Sequence, residues 1–248
     1  MIKFENISKS FGSKLVLQGI NLTVKRGSSM VIIGGSGTGK SVLLKTVIGL
    51  VAPDSGRIFV DGQDIRKKNP SNFLKRFGML FQGAALFDSM PVWQNVAFRL
   101  QSGALKQTSK HAREVAIEKL RRVGLSPDIA DQLPAELSGG MQKRVGLARA
   151  IAANPEIIFF DEPTTGLDPI MAGIINELIR EIVVETGVTA MTITHDMSSV
   201  DAIADTVAML HAGVIQWSGP KQNLRKSGDP FVNQFIKGRA NGPIATLR

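Results

Sequence analysis

The stretch Gly34-Gly35-Ser36-Gly37-Thr38-Gly39-Lys40-Ser41 decides the fold class of this 248-residue chain. It fits the pattern G-x-x-x-x-G-K-[ST] at every fixed position. An apolar run, residues 29–33, precedes it, and residues 40–50 have helical character. A buried strand, a glycine-rich loop and a helix are therefore predicted here. In this context the loop indicates a phosphate-binding site, whereas the same residues without strand and helix would be an ordinary glycine-rich turn.

The chemistry of this loop follows from its composition. Glycines let backbone N–H groups turn inward around phosphate oxygens, and the start of the following helix adds positive potential. Lys40 is expected to contact the terminal phosphates, and the Ser41 hydroxyl is expected to ligate Mg²⁺. The predicted nucleotide-binding residues of this segment are Gly34, Gly35, Ser36, Gly37, Thr38, Gly39, Lys40, Ser41 and Val42. The loop predicts nucleotide binding and leaves open what the nucleotide drives.

Strand-like and helical segments alternate along much of the chain, which predicts an α/β fold with a parallel sheet. Residues 1–24 read as short alternating strands around a turn at residues 11–13, and residues 56–60 read as another strand. Residues 157–160, 188–194 and 207–210 are strand-like, and residues 170–185 are helical. Between Phe87 and Asn154 the pattern is helical, with segments at 108–123 and from a cap at Ser138 to about Ala153. This part is predicted to be a helical insertion.

Two acids follow an apolar strand-like run, Ile157-Ile158-Phe159-Phe160-Asp161-Glu162. Ligands of open α/β sheets bind at this carboxyl end of the strands. Asp161 is placed to hold Mg²⁺, and Glu162 to orient and deprotonate an attacking water. Taken alone, the pair could serve as caps at a helix start; beside the phosphate loop, the catalytic interpretation is favoured.

A second anion site is predicted at Leu137-Ser138-Gly139-Gly140-Met141-Gln142, where a serine and two glycines open a helix. A chain with two such sites either binds two anions, or each of its sites forms one half of a pocket that a second site completes. With the phosphate loop, the Asp-Glu pair and a histidine 33 residues beyond Glu162, this segment makes residues 1–225 resemble the ATPases of ABC transporters.

This resemblance implies a P-loop NTPase (RecA-like) core with an antiparallel β subdomain and a helical insertion subdomain. It places the core in residues 1–86 and 155–225, the helical subdomain in residues 87–154, and a basic tail in residues 226–248. ATP and Mg²⁺ are the implied cofactors, and ATP hydrolysis to ADP and phosphate is the implied activity. Two chains are expected to sandwich two ATP molecules in a head-to-tail homodimer.

Further site residues follow from the resemblance alone. Gln82 matches the glutamine that senses Mg²⁺ and the γ-phosphate, and His195 matches the switch histidine that contacts the γ-phosphate. Ser138, Gly139 and Gly140 match the segment that contacts ATP held by the opposite protomer, and Asp168 matches a loop that crosses the dimer interface. Catalytic roles are thus expected for Glu162, His195 and Gln82, and metal binding for Ser41, Gln82 and Asp161. By itself, a lone histidine such as His195 would more often be structural.

One position departs from the family pattern. Adenine usually stacks on a tyrosine near the N-terminus, and this chain has no tyrosine. Phe11, just before Gly12, occupies the matching place and offers the same π-face, so we expect it to stack on adenine. The alternative is that Phe11 belongs to the core.

Finer resemblances concern what is transported. Residues 86–90, 140–145 and 161–170, with the C-terminal segment 234–244, are similar to the Mla/Mce-associated phospholipid transport ATPases. This similarity implies a peripheral protein on the cytoplasmic face of a bacterial inner membrane. The implied partners are a polytopic (MlaE-like) permease, a periplasmic Mce-domain protein and, in some members, a STAS-domain protein. Residues 83–92 lie where a coupling helix of the permease would dock, although for Leu86 and Phe87 individually a place in the core of the helical insertion is favoured.

Composition supports the same class. The chain has no cysteine, which excludes disulfides and thiolate metal sites and suits a reducing cytosol. No apolar run reaches the roughly 18 residues of a membrane span, and the N-terminus lacks a signal-peptide pattern, so the protein is expected to be soluble by itself.

The net charge of the chain is +9, and residues 221–248 hold six basic residues and one acidic residue. Such a tail attracts nucleic acid, anionic lipid or an acidic partner, or is simply solvated. Since Phe231, Phe235 and Ile236 are apolar at helical spacing, we expect residues 226–248 to pack on the partner protomer or an accessory subunit.

Three alternatives stay open at this stage. One is an importer ATPase for a small polar solute, which differs only at partner-facing residues. Another is a soluble ABC ATPase of iron–sulfur assembly, which needs no membrane partner. The third, an ABC ATPase of DNA repair or chromosome condensation, is disfavoured, because such ATPases carry long coiled-coil insertions and no heptad run occurs here. No nucleic-acid partner is therefore expected.

Overall fold

The computed structural model describes residues 2–65, 74–101 and 105–245. The chain divides into two units, which we call unit 1 (Met1–Leu74 with Thr189–Arg248) and unit 2 (Lys75–Val188). In chain order the strands are β1 (Ile2–Phe11), β2 (Lys14–Val24), β3 (Ser29–Ile33), β4 (Ser55–Val60), β5 (Gln63–Asp64), β6 (Phe77–Leu80), β7 (Ile157–Asp161), β8 (Thr189–Ile193), β9 (Thr206–His211) and β10 (Val214–Pro220). The α-helices are α1 (Lys40–Val47), α2 (Val92–Ala97), α3 (Ser109–Arg122), α4 (Gly139–Ile151), α5 (Pro169–Thr186), α6 (Met197–Ile203), α7 (Lys221–Leu224) and α8 (Pro230–Ile236).

Unit 1 contains an antiparallel sheet with the strand order β2-β1-β4-β5. In β1 the buried residues Ile2 and Phe4 alternate with Lys3 and Glu5, as expected of a strand with one face in the core. Ile2 of β1 lies opposite Val24 of β2 on one side and opposite Val60 of β4 on the other. The predicted strands at the N-terminus are therefore confirmed, as two long strands.

Unit 1 also contains four neighbouring strands in the order β10-β9-β3-β8. β3 is parallel to both β8 and β9, with Ile32 opposite Ile193 and Ile33 opposite Met209. All five residues of β3 and all five of β8 are buried, as the continuous apolar runs predicted. β10 pairs antiparallel with β9, and Trp217 of β10 lies opposite Met209. The carboxyl ends of β3 and β8 consequently meet at one edge.

Unit 2 contains the parallel pair β6 and β7, with Phe77 opposite Ile157 and Leu80 opposite Phe160. Phe77 and Phe159 meet edge to face, with ring centroids 5.2 Å apart. Burying a side chain of the size of Phe159 contributes about 1.5–3 kcal/mol. Helices α2 to α5 and three short 3-10 turns make up most of the remaining described residues of this unit. Between Phe87 and Asn154 the described residues form helices and no strand, as predicted.

Helix α4 packs against strand β6 at very short distance. A Cβ on Gly78 would lie 2.1 Å from the carbonyl oxygen of Ala150, and a Cβ on Gly146 would lie 2.8 Å from a methyl carbon of Leu80. Each element therefore contributes a glycine to the contact. This close approach brings the buried face of α4 to the end of β6, where Gln82 follows.

Several element predictions need correction. The helix predicted for residues 40–50 ends at Val47, because Gly49 adopts a left-handed φ of 76° that breaks the helical hydrogen bonding. Strands β6 and β10 and helix α6 were not predicted. The tail does form a helix, α8, capped by Asp229, whose carboxylate accepts a hydrogen bond from the Val232 N–H at 2.9 Å.

Among the described residues no helix is long and apolar enough to cross a membrane.

Candidate functional site

The phosphate loop in unit 1 has a backbone that requires glycine. Gly34 has a φ of +154°, and a Cβ there would lie 2.2 Å from the carbonyl oxygen of Leu210. Gly39 has a φ of +101°, and its Cβ would lie 3.0 Å from the carbonyl oxygen of Val16. Gly39 also caps α1, which begins at Lys40. The loop thus joins the end of β3 to a helix N-terminus, the arrangement that binds phosphate through backbone N–H groups.

Lys40 is buried, and its ammonium is turned into the loop. Its Nζ donates hydrogen bonds to the carbonyl oxygens of Gly34 at 2.7 Å and Gly35 at 2.9 Å. Thr38 braces the same turn, because its Oγ1 donates to the Gly35 carbonyl at 2.9 Å. The ammonium therefore lies at the centre of the loop, where it is positioned to neutralise a bound anion. Ser36, Gly37 and Ser41 are exposed and Val42 is half-buried.

His195 follows β8 at the same edge of unit 1 as the phosphate loop. The N–H of Thr194 donates to the carbonyl of Ile32 at 3.1 Å, which aligns the two strand ends. His195 is exposed, and Asp196 after it caps α6 by accepting hydrogen bonds from the N–H groups of Ser198 and Ser199. The parallel register therefore places this histidine beside the loop that starts at Gly34.

The carboxylate of Asp196 is held in its charged form. Partial burial raises the pKa of Asp196, but hydrogen bonds from the side chains and backbone of Ser198 and Ser199 outweigh that effect. The pKa consequently lies below its ordinary value of 3.8. A charged cap fixes the start of the helix directly behind His195.

Phe11 is on the surface of unit 1, not in its core. It ends β1 opposite Lys14, and its side chain is 51% exposed. The Lys9 ammonium lies 5.4 Å from the ring centroid. Gly12, with a φ of +58°, allows the tight turn into β2. About half of the Phe11 side chain is thus accessible on the surface, as stacking on a base requires.

In unit 2 the parallel pair β6 and β7 brings Gln82, Asp161 and Glu162 to one edge. Leu80 is opposite Phe160, so the residues two places further on, Gln82 and Glu162, emerge side by side. Gln82 is exposed, Glu162 is half-buried, and Asp161 is 9% exposed. The two predicted metal ligands and the predicted base of this unit are therefore neighbours.

Glu162 has an unusual backbone conformation. Its φ is +48°, a region that residues other than glycine, asparagine and aspartate seldom adopt. Its Oε2 accepts a hydrogen bond from the Thr165 hydroxyl at 3.2 Å. Strained backbone of this kind persists where the surrounding structure holds it and is concentrated at functional sites. The backbone conformation and the hydrogen bond from Thr165 together set the direction in which the carboxylate leaves the end of β7.

The loop after Glu162 leads to Asp168, which caps α5. Its Oδ1 accepts hydrogen bonds from the N–H groups of Ile170 at 3.0 Å and Met171 at 3.1 Å. Pro169 occupies the first helical position, where it needs no hydrogen bond. Asp168 is exposed.

The Ser138-Gly139-Gly140 segment opens α4, as predicted. The Ser138 hydroxyl accepts a hydrogen bond from the Met141 N–H at 3.3 Å. Ser138 and Gly139 are exposed, whereas Gly140 is buried against Met171, whose methyl carbon lies 2.5 Å from the place of a Cβ on Gly140. A helix start at which Ser138 and Gly139 are exposed suits an anion.

Lys143 belongs to this site and was not predicted. It lies on α4, is 5% exposed, and its Nζ donates hydrogen bonds to the carbonyl oxygens of Gln82 and, at 3.4 Å, of Glu162. Burial lowers the pKa of the Lys143 ammonium, and the carboxylates of Asp161 and Glu162 offset part of this by raising it. A polar stretch such as Gln142-Lys143-Arg144 gives no sign of a buried cation, so only the structure reveals this residue.

The residues present fit ATP and Mg²⁺ chemically. The hydroxyl of Ser41, the amide of Gln82 and the carboxylate of Asp161 are the oxygen donors that Mg²⁺ prefers, usually with water and phosphate completing its shell. The loop leads into the N-terminus of α1 and surrounds the Lys40 ammonium, an arrangement that suits the phosphates of a nucleotide. Unit 1 thus carries Phe11, the phosphate loop and His195, and unit 2 carries the other predicted site residues.

Comparison with known proteins supports this assignment. A model of the family described as ABC transporter matches residues 17–165. The probable ribonucleotide transport ATP-binding protein mkl of Mycobacterium tuberculosis is 40% identical over 98% of this chain and 68% of its own length. The intermembrane phospholipid transport system ATP-binding protein MlaF of Escherichia coli K12 is 40% identical over 98% of this chain and 91% of its own.

Two further similarities concern a plant protein and a solved structure. Protein TRIGALACTOSYLDIACYLGLYCEROL 3, chloroplastic, of Arabidopsis thaliana is 37% identical over 98% of this chain and 75% of its own. The dimeric post-hydrolysis structure of the ATP-binding cassette MJ0796 with ADP and Pi has a TM-score of 0.81 at 29% identity, covering 89% of this chain and 99% of that chain. The predicted α/β fold with its antiparallel sheet and helical part is thereby confirmed as that of an ATP-binding cassette. This chain belongs to the ABC transporter family, as one of its ATP-binding, ATP-hydrolysing proteins.

Proposed function

We propose that this protein is the ATPase subunit of a system that moves phospholipid between membranes, bound to the cytoplasmic face of a bacterial inner membrane. The observation that carries the proposal is the 40% identity to MlaF, a phospholipid transport ATP-binding protein, over nearly the whole of both chains. The plant relative, which carries a galactolipid in its name, supports a lipid substrate.

The chain's own residues suggest how hydrolysis proceeds. Lys40 and the loop backbone hold the β- and γ-phosphates, and His195 contacts the γ-phosphate from the neighbouring strand end. Ser41, Gln82 and Asp161 hold Mg²⁺, which when bound offsets the charge on the phosphates. Glu162, fixed by its backbone and by Thr165, orients the attacking water and accepts its proton.

A homodimer completes each site in this proposal. Ser138, Gly139 and Gly140 of one protomer contact the ATP held by its partner, and Asp168 lies at the interface. Support comes from the exposure of Ser138, Gly139 and Asp168 in the single chain and from the dimeric cassette with the same fold.

The permease is proposed to dock on the loop after Gln82. Hydrogen bonds hold this loop in place: the Asn95 amide, which is fully buried, donates to the carbonyls of Phe87 and Met90, and the Arg149 guanidinium donates to the Ala85 carbonyl. Phe87 is nevertheless 39% exposed. A fixed loop with an exposed aromatic ring suits contact with a coupling helix. An Mce-domain protein and a STAS-domain protein are the further proposed partners.

The experiment is to tag this subunit, solubilise its membranes gently, and identify the co-purifying proteins and lipids by mass spectrometry. Recovery of a permease, an Mce-domain protein and phospholipid supports the proposal. The matched control is the same protein with Phe87→Ala, which should lose the permease while keeping ATP binding. A different permease without lipid would refute lipid transport and retain the ATPase assignment.

A second candidate is import of a small polar solute. The relative mkl, at the same 40% identity, is named for ribonucleotide transport, which favours a nucleotide as that solute. Iron–sulfur assembly gains no support from the relatives named above. The co-purification experiment distinguishes the candidates, since only a solute importer would recover a permease without an Mce-domain protein and phospholipid.

The C-terminal tail is proposed to pack on the partner protomer or an accessory subunit. Helix α8 leaves Phe231, Phe235 and Ile236 only half-buried, and Gln234 ties residues 239–244 back to the helix through bonds to the Arg239 and Ile244 carbonyls. Truncation at Ser227 should weaken assembly of the complex. Unchanged dimerisation and assembly after truncation would refute this role.

A further inference from the structure

Lys143 is the one buried lysine of the described residues outside the phosphate loop. Burying an ammonium costs free energy unless it is hydrogen-bonded and charge-compensated. Here its partners are two backbone carbonyls, those of Gln82 and Glu162, and its nearest charges are the carboxylates of Asp161 and Glu162. All these partners belong to residues with a proposed role in hydrolysis, so the Lys143 ammonium lies beside the proposed site of the reaction.

The contacts of Lys143 fall at the point where β6 and β7 end. Both strands are followed by a reactive side chain, and no inter-strand ladder continues beyond Leu80 opposite Phe160. The ammonium bridges the segments that follow β6 and β7 just past that point, where Glu162 has its left-handed φ of +48°. Hydrogen bonds from a charged donor are stronger than those between neutral groups. The Lys143 ammonium therefore links the two segments where the hydrogen bonds between β6 and β7 have ended.

The bridge is delivered by the helix that begins with Ser138. Lys143 lies three residues beyond Gly140 on the same buried face of α4, and Gly146 follows at the same spacing. The close packing of Gly146 against Leu80 brings the Lys143 side chain within reach of Gln82. The position of the ammonium is thus set by the packing of the whole helix.

We infer that Lys143 is a positioning residue for ATP hydrolysis, which holds the backbones of Gln82 and Glu162 in register with each other and thereby sets where the amide and the proposed base lie. The inference rests on the proposed hydrolytic roles of these two residues. It predicts a specific kinetic signature: ATP is held mainly by the phosphate loop of unit 1, so loss of Lys143 should lower kcat and leave the KM for ATP nearly unchanged.

The test uses the full-length chain purified with its partner subunits, and compares Lys143→Met, Lys143→Gln and Lys143→Arg. Removing a group that supports reacting residues typically lowers activity by about 10–100-fold, and we expect this fall in kcat for Lys143→Met. KM and the affinity for a non-hydrolysable ATP analogue should stay within about threefold of the wild type. Lys143→Arg should recover most of the rate, because a guanidinium can donate to both carbonyls.

Arg99→Met is the matched control. The Arg99 guanidinium is a half-buried cation whose pKa is likewise lowered by burial, and it donates to the carbonyl of Phe77 at the opposite end of β6. Its loss should lower the unfolding temperature without lowering kcat. Equal falls in kcat for Arg99→Met and Lys143→Met would overturn the inference, since the effect would then be general destabilisation.

Two further outcomes are decisive. Wild-type kcat in Lys143→Met would overturn the inference; if that variant does not fold, wild-type kcat in Lys143→Gln would do the same. Absence of ATP hydrolysis in the wild-type complex would instead refute the proposed function, because the inference concerns only a chain that hydrolyses ATP.

Discussion

Gly78 of β6 and Ala150 of α4 are in backbone contact, since a Cβ on Gly78 would lie 2.1 Å from the Ala150 carbonyl oxygen. No side chain fits between them, so strand and helix must separate to admit a methyl group. Gly78→Ala is therefore expected to destabilise the protein by about 1–3 kcal/mol, as overpacking does. Urea denaturation measures this change in the free energy of unfolding.

Gly173→Ala on α5 is the control for Gly78→Ala. A Cβ on Gly173 meets nothing within 4 Å. Alanine in a helix interior is more favourable than glycine by roughly 0.5–1 kcal/mol, so this variant should be slightly more stable than the wild type. Equal stability of the two variants would contradict the contact described for Gly78.

Lys40→Ala should abolish tight nucleotide binding. The ammonium at the centre of the loop would make charge-assisted hydrogen bonds to phosphate, whose loss costs about 1.5–3 kcal/mol, or roughly 10–150-fold in affinity. Binding of a fluorescent ATP analogue measures the loss. Lys45→Ala removes the same charge from an exposed position of α1 and should leave the affinity unchanged.

Glu162→Gln should retain ATP and accumulate as a closed dimer. Removal of a general base typically lowers the rate by about 10²–10⁴-fold, while the phosphate contacts are unaffected. Size-exclusion chromatography with ATP should show the dimer. Glu156→Gln, which breaks an exposed ion pair with Arg76 just before β7, should hydrolyse ATP normally. A monomeric Glu162→Gln protein in ATP would count heavily against the two-chain site.

Phe11→Ala should raise the KM for ATP. Loss of one stacking partner costs on the order of 1–3 kcal/mol, which corresponds to about a 5- to 150-fold change. Phe11→Tyr should behave as the wild type, because stacking needs no phenol. Leu15→Ala, at a residue 48% exposed on the same hairpin, is the control. An unchanged KM in Phe11→Ala would show that the ring does not contact the base.

Asp196→Asn should reduce stability at neutral pH by about 1 kcal/mol, because charged hydrogen bonds become neutral while the cap remains. The pKa of Asp196 is lowered in the folded protein, so its stabilising contribution is present above the ordinary value of 3.8 and is lost as the pH falls through the lower folded pKa. Denaturation curves from about pH 7 down to about pH 3 should show the variant and the wild type converging in acid. A constant difference would indicate a packing effect.

Much of the fold was predictable because its signals are local. Continuous apolar runs gave β3, β7, β8 and β9, and the serine cap gave the start of α4. Strand β10 was missed because its Ser218-Gly219-Pro220 end is typical of a turn; an edge strand tolerates such residues since one side needs no partner. Strand β6 is only four residues long and contains Gly78, so it lacks a pattern of its own.

The candidate site residues were predicted from a different kind of signal. Gln82, Asp161, Glu162 and His195 were recognised from their motifs, whose spacing reflects strand ends that meet at a sheet edge. Lys143 was not recognised, because a lysine in a helix normally faces water. Its burial depends on how closely α4 packs on β6, which is a property of tertiary packing.

The two tryptophans are divided between the units: Trp93 is the second residue of α2 in unit 2, and Trp217 lies on β10 in unit 1. With no tyrosine in the chain, intrinsic fluorescence comes essentially from these two side chains. Each single replacement by phenylalanine would leave one emitter in the chain, in unit 1 for Trp93→Phe and in unit 2 for Trp217→Phe. Coincident denaturation curves for Trp93→Phe and Trp217→Phe would mean that the whole chain unfolds in one cooperative step, and separate curves would give each unit its own midpoint.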